Sequence, residues 1–232
     1  GKTQRGEKLG NFMEYGNKFN LNAFRKEIIE ELINTMSNLS EEKLEKIFEV
    51  KAANLIKTIE KNSAINNSLL MKAIERYNGV MFKAIDYKNL ENKSKKNFDD
   101  KVIFIDAVFG LLKPNDIIPD YKLKIDSKLL NIDVTKFWKE RLEKSFKEIF
   151  ENKIVIDILP QAHKKIIEDF YEINKNIISI EFCEYRKAKY ISSGHSSKKL
   201  KGEIIKYMLK FEKICVEDIK KFVHSEGYKF NE

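Results

Sequence analysis

Apolar residues recur at helical spacing through most of the first half of the chain and gather into short runs in the second. Phe24, Ile28, Leu32 and Ile33 share one face of a helix predicted over 22–36. Ser40, followed by Glu41 and Glu42, reads as an N-cap with an acidic first turn. It opens a helix over 40–59 that carries Leu44, Ile47, Phe48, Leu55, Ile56 and Ile59. The segment 68–84 is helical again, interrupted at Asn78-Gly79, and the lysine-rich stretch 89–100 reads as a polar connection. Residues 1–20, with Gly1, Gly6, Gly10 and Gly16, read as loop. Further on, apolar runs and alternation predict strands at 102–105, 154–159, 178–182 and 187–191. Helices are predicted at 135–152, 161–173, 196–213 and 216–225, the first with Trp138, Leu142 and Phe146 in step, so Trp138 is a core residue. Helix exceeds strand, and neighbouring strands come both with and without a helix between them. That pattern predicts an α+β fold, a single compact domain over 1–232 with a mixed sheet surrounded by helices.

One segment breaks the monotony. Phe109-Gly110-Leu111-Leu112-Lys113-Pro114-Asn115-Asp116-Ile117-Ile118-Pro119-Asp120-Tyr121 holds two of the three prolines and follows directly on a predicted strand. A rigid loop fixed at a strand end is a common carrier of function. It is basic at both ends, through Lys113 on one side and Lys122 and Lys124 on the other.

Charge changes the picture more than composition does. Forty-four basic residues against 36 acidic leave a net +8, and the pI near 9.1 is consistent with a nucleic-acid partner if the charge clusters. Only five of the 44 are arginines. Lysine meets a phosphate as a point charge, whereas arginine is favoured for reading base edges, so binding is expected to follow shape and charge rather than sequence. No apolar run approaches the roughly 20 residues that span a bilayer, and no signal-peptide pattern opens the chain. Cys183 and Cys215 are too few for a disulfide framework and lack metal-ligand spacing. The expectation is a cytoplasmic monomer with no membrane association, no metal and no cofactor.

Within the helix at 196–213, Lys199, Lys206, Lys210 and Lys213 fall in a narrow stripe, apart from the apolar face of Leu200, Ile204, Tyr207 and Phe211. Such a stripe is either a track for a phosphate backbone or an ordinary solvated face. Lys198 and Lys201 form a separate pair beside Gly202, where the missing side chain lets a backbone or a ligand approach. Lys187 and Lys189 share one face of a predicted strand. Tyr121 and Phe109 either stack on unpaired bases or pin the loop to the core. His163, His195 and His224 lie far apart. Asp116 and Asp120 are the weak catalytic candidates of an alternative reading, a metal-dependent nuclease. Asp120 with Asp126 and Lys128 has the residue types of such a site, but the spacing is too short for its strand-turn-strand. A third reading is a protein-interaction scaffold, which needs an exposed apolar patch.

The order of several motifs resembles the YaaA family of peroxide-stress proteins along nearly the whole length. A strand followed by a Ser-Gly-Leu-Tyr-Gly-Leu-Leu-Arg-Pro-like loop and a Tyr-Arg-Leu segment is matched by Asp106-Ala107-Val108-Phe109-Gly110-Leu111-Leu112-Lys113-Pro114 and then Tyr121-Lys122-Leu123. Tyr77-Asn78-Gly79, Phe137-Trp138, Lys198-Lys199-Leu200-Lys201-Gly202 and the close at 225–230 are similar to further family segments. The resemblance implies a DNA-binding protein with a basic cleft and a helix-hairpin-helix element, placed at 40–59 although no hairpin glycine is seen there. It implies a role in surviving hydrogen peroxide through DNA in duplex, bubble or junction form. Taken with the reading of the residues themselves, the expected nucleic-acid site comprises Lys2, Lys113, Lys122, Lys187, Lys189, Lys198, Lys201 and Gly202, with Gly110 and Tyr121 shaping the loop.

This chain departs from the family in three places. Its opening Gly1-Lys2-Thr3 stands where the family has an apolar strand running into Ser-Pro-x-Lys-Thr, so that strand is expected to be missing or truncated. The family's Asn-Leu-Ala-Ser-x-Glu-Tyr segment is replaced by Asp157-Ile158-Leu159-Pro160-Gln161-Ala162-His163, and its Ser-Gly pair by Asp106-Ala107.

Overall fold

The structure, a computed structural model, describes residues 2, 6, 8–10, 19–186, 189–192, 197–224 and 227–231, with the main chain alone at 8, 9, 185, 186 and 189–192. In chain order its elements are β1 (Lys8–Gly10), α1 (Asn22–Asn38), α2 (Glu41–Phe48), α3 (Ala53–Ser63), β2 (Ser68–Lys72), α4 (Ala73–Arg76), α5 (Val80–Ile85) and α6 (Asn92–Lys101). Then come β3 (Phe104–Asp106), β4 (Gly110–Leu112), β5 (Ile117–Ile118), α7 (Val134–Arg141), α8 (Glu143–Phe150), β6 (Val155–Asp157), α9 (Gln161–Ile173) and β7 (Ile177–Ser179). The chain closes with β8 (Cys183–Arg186), β9 (Lys189–Ser192), α10 (Ser197–Met208) and α11 (Val216–Lys220). The fold is α+β, as the mixture of periodicities predicts.

Two units emerge, a larger one of Gln4–Arg76 and Ile103–Ser179 and a smaller one of Gly1–Thr3, Tyr77–Val102 and Ile180–Glu232. In the larger unit, α1 buries Ile28, Ile29 and Leu32, α2 buries Leu44 and Phe48, and α3 buries Leu55. Phe109, Leu111, Trp138 and Phe146 are buried as well. In place of one mixed sheet there are small separate ones among the described residues. β1, β2 and β5 form an antiparallel trio, β3 pairs antiparallel with β4, and β6 pairs parallel with β7. Asp157, at the end of β6, is buried and takes hydrogen bonds from the Leu159 N–H and from the hydroxyls of Tyr171 and Ser179, while Lys164 Nζ lies 3.5 Å away. These bonds tie α9 to both strands and satisfy a carboxylate that would otherwise be costly to bury.

Several readings of the sequence are corrected. Within 1–20, read as loop, Lys8–Gly10 is a strand, because it pairs with Ser68–Leu70 of β2. The single helix expected at 40–59 is two, because Glu49 and Ala52 adopt φ of 49° and 47° and turn the chain. Leu44 and Leu55 are eleven residues apart, close to three full turns, so their spacing fits a straight helix as well as the bent arrangement. The start of 68–84 is strand, with Leu70 buried and Leu69 exposed, since Met71 and Lys72 pair with Ile118 and Ile117 far along the chain. Within 89–100 lies the helix α6, held by buried Phe98, Asn97 and Ser94. The long helix at 135–152 is divided at Leu142 into α7 and α8.

In the smaller unit β8 and β9 form an antiparallel hairpin, and α10 packs on α5. Gly202 makes that approach possible. A Cβ there would sit 2.4 Å from the Met81 carbonyl oxygen and 2.6 Å from the Ala84 Cβ. Asn97 on α6 donates to the carbonyls of Leu209 (2.8 Å) and Phe211 (3.2 Å), which anchors the turn after α10. The buried His224 contacts Glu203 of α10 at 2.5 Å. Replacing Gly202 by alanine is expected to cost about 1–3 kcal/mol through overpacking. Hydrogen exchange on α5 and α10 checks this, and unchanged protection in the variant would contradict it. No described helix is long and apolar enough to cross a membrane.

Candidate nucleic-acid interface

The proline-containing loop is stitched to the larger unit from three sides. Arg25, on the otherwise apolar face of α1, is buried, and donates from Nε to the Phe109 carbonyl (3.0 Å) and from Nη2 to the Leu111 carbonyl (2.9 Å). Burial pushes the Arg25 guanidinium down to about 10, with Asp116, Asp106 and Tyr121 opposing, so it stays charged at neutral pH. Asp106 Oδ1 accepts from the Val108 and Phe109 N–H groups and turns the chain between β3 and β4. Gly110 follows with φ of 66°, and a Cβ there would lie 2.6 Å from the Trp138 ring. Trp138 is fully buried and donates from Nε1 to the Ala107 carbonyl at 2.8 Å. Gly110 is thus fixed both by its backbone angle and by the indole against it.

Further along, Asn62 on α3 brackets Lys122. Its side-chain carbonyl accepts from the Lys122 N–H at 2.8 Å, and its amide donates to the Lys122 carbonyl at 3.0 Å. Lys61 pairs with Asp120 at 2.8 Å, and Lys124 pairs with Glu49 at the end of α2. Lys122 stands between two paired lysines and carries no ion pair among the described residues. Burial, then Lys124 and Lys61, lower its pKa from the ordinary lysine value, and Glu49 opposes them.

Lys122 faces an open cavity of about 870 Å³ beside the α2–α3 turn. Its walls differ in charge. One carries Glu42, Glu45 and Glu49 with Lys46, and the other carries Lys51, Lys57 and Lys61. Glu45 also accepts the Ala52 N–H at 2.8 Å, which holds the turn closed without a glycine.

Charge is distributed unevenly between the units. The smaller unit contains nineteen basic and twelve acidic residues, against twenty-five and twenty-four in the larger, so it holds +7 of the net +8. Lys198 and Lys199 are exposed on α10, and Lys201 is half-buried. On α6, Lys93 and Lys96 are exposed, opposite the buried Ser94, Asn97 and Phe98. Reading 89–100 as a connection hid these two lysines.

The anticipated site residues are only partly brought together. Lys113 and Lys122 sit in the larger unit, whereas Lys2, Lys198, Lys201 and Gly202 sit in the smaller. Lys2 lies 5.6 Å over the Tyr77 ring and bridges its main chain. Lys187 and His195 lie outside the described residues, as does the side chain of Lys189. Gly110 and Tyr121 are buried and shape the loop from within, so neither offers a surface for a base to stack on. Phe109, also buried, packs on Tyr121 with ring centroids 5.3 Å apart. The four-lysine stripe does not survive as one track. α10 ends at Met208, short of Lys210 and Lys213, while Lys199 pairs with Glu203 (3.7 Å) and Lys206 with Asp86 (3.5 Å).

Asp116 accepts the Lys113 N–H at 2.8 Å and interacts with Arg25. Burial nevertheless raises its pKa. Asp120 is engaged by Lys61. Asp116 and one oxygen of Asp120 are therefore held by the protein's own donors, an arrangement suited to holding a loop, while the buried Oδ1 of Asp120 has no hydrogen-bond partner among the described residues. No group of three potential metal ligands is found among the described residues.

The family described as peroxide stress protein YaaA matches residues 2–232. The chain belongs to that family. Curated relatives named UPF0246 protein agree with it. One from Francisella tularensis subsp. mediasiatica is 28% identical over 228 residues, covering 92% of this chain and 87% of its own length. Its counterpart from Malacoplasma penetrans is 30% identical over 203 residues, covering 84% and 79%. In this YaaA-family chain, the matched segment takes in the clamped loop, the α2–α3 turn and the lysines of α6 and α10.

Proposed function

We propose that the protein binds DNA in the response to peroxide stress, through lysine–phosphate contacts that read shape and charge rather than sequence. The observation that carries the reading is the concentration of +7 in the smaller unit, with lysines exposed on α6 and α10. A net charge spread evenly over the molecule would speak for solubility alone.

The larger unit adds a second support. Two helices joined by a four-residue turn, with Glu49 and Ala52 at positive φ, support the helix-hairpin-helix expected at 40–59. Lys51 and Lys57 stand on its α3 side. The glutamates of the α2 wall repel phosphate, so a strand there would run along the α3 wall.

Fluorescence anisotropy with labelled duplex, bubble, junction and single-stranded DNA tests the reading. Structured DNA is expected to bind with little dependence on base sequence and to remain intact on a gel with Mg²⁺ present. Binding to none of these forms at low salt would overturn it. Cleavage would instead favour the nuclease alternative and make Asp116 and Asp120 the residues to change.

A further inference from the structure

The cavity beside the α2–α3 turn has Lys122 in its wall. Of its other lysines, Lys46 pairs with Glu42 and Lys61 with Asp120, whereas Lys51 and Lys57, like Lys122, carry no ion pair among the described residues; Lys124, two residues on, pairs with Glu49. Lys122 lies among them on a main chain held at both its N–H and its carbonyl by Asn62. A lysine used only as a phosphate contact gains little from so fixed a backbone, because its long stem adapts to the anion. An amine that must meet one carbon atom along one direction gains a great deal.

We propose that Lys122 is an amine nucleophile that forms a Schiff base with the sugar aldehyde of an abasic site in DNA. This rests on the DNA-binding reading and assigns a chemistry to the cavity. Partial burial and the adjacent Lys124 and Lys61 lower the pKa of Lys122 and so raise the share of neutral amine, the form that has a lone pair to donate, while Glu49 opposes them. Lys122 lines a cavity wide enough for a ring-opened sugar.

The Lys122 Nζ lone pair attacks C1′ of the aldehyde, and the carbonyl electron pair moves to oxygen, which takes up a proton released by that nitrogen. A second proton, from solvent, lets the oxygen leave as water as the nitrogen lone pair closes the protonated imine. Removal of a C2′ proton by water then allows the C3′–O bond to break, with the bonding pair leaving on the phosphate. Addition of water to the imine frees the lysine. No oxidant, reductant or metal is consumed.

The test uses the full chain and a duplex with one enzymatically generated abasic site, in the presence of sodium cyanoborohydride, which reduces an imine to a stable amine. A parallel duplex with a tetrahydrofuran analogue, which lacks the aldehyde, reports binding alone. Each protein is used at a concentration that saturates this analogue duplex. The wild type is expected to give a covalent complex whose adduct maps to the peptide containing Lys122, and Lys122→Arg is expected to give at least about tenfold less. An adduct spread over several lysines, or equal trapping by the arginine variant, would overturn the nucleophile while leaving DNA binding intact. Absence of any trapped complex despite saturated binding would overturn it in the same way. Failure of the wild type to bind the tetrahydrofuran duplex would remove the binding reading itself.

Discussion

Replacing Arg25 by methionine is expected to lower stability by about 3–5 kcal/mol, because a buried charged donor is lost and its acceptors are left without partners. The Phe109 and Leu111 carbonyls would both lose the guanidinium that now bridges them at 3.0 and 2.9 Å. Methionine restores the volume of the side chain but none of its donors. Asp116 and Asp106 would also lose the buried cation that compensates them. For a unit of this size the melting temperature should fall by roughly 10 °C. Arg25→Lys should fare little better, since one ammonium cannot reproduce a planar fork spanning two carbonyls. Thermal unfolding followed by circular dichroism decides the matter, and a melting temperature within about 2 °C of wild type for the methionine variant would contradict the clamp.

The second large effect concerns binding. Changing both Lys198 and Lys201 to glutamate removes two positive charges from α10 and adds two negative ones. Lys198 is exposed and Lys201 half-buried, so the helix, whose core side chains are Leu200 and Ile204, should remain folded. Affinity for duplex DNA is expected to fall by about 30-fold or more near physiological salt, where each phosphate contact contributes through counterion release. Circular dichroism guards against unfolding, and anisotropy gives the affinity. A folded double variant with wild-type affinity would remove α10 from the interface.

Much of the architecture is legible in the sequence where local signals agree with long-range packing. Gln161–Ile173 is read to the residue, because Ile166, Ile167 and Phe170 keep one face and Pro160 marks the start. Trp138 is read as core for the same reason and is fully buried. The misreadings share a physical cause. β2 owes its form to Ile117 and Ile118, nearly fifty residues away, and nothing within Ser68–Lys72 announces that pairing. The turn at Glu49 and Ala52 has neither glycine nor proline, and it is held by a glutamate that accepts the Ala52 N–H. Local sequence rules look for residues that favour a turn, whereas here a side chain supplies the stabilisation.

The candidate interface divides in the same way. Lys122, Lys198 and Lys201 are candidates that the sequence names near recognisable motifs, and the structure leaves Lys198 exposed and the other two half-buried. Asn62, which fixes Lys122 across sixty residues, carries no local signal. Arg25 did carry one. It shares the stripe of Ile28, Ile29 and Leu32, and a charged residue on a core-facing stripe asks for a buried partner.

The most direct measurement is the affinity for duplex DNA as a function of salt, by anisotropy with the full chain from low to physiological ionic strength. Phosphate-directed binding predicts a linear fall of log affinity with log salt, at about −0.9 for each contact, and so a slope of roughly −3 to −5 for four or five lysines. A slope near zero, or no binding at the lowest salt, would contradict the account and leave the charge of the smaller unit without a nucleic-acid partner.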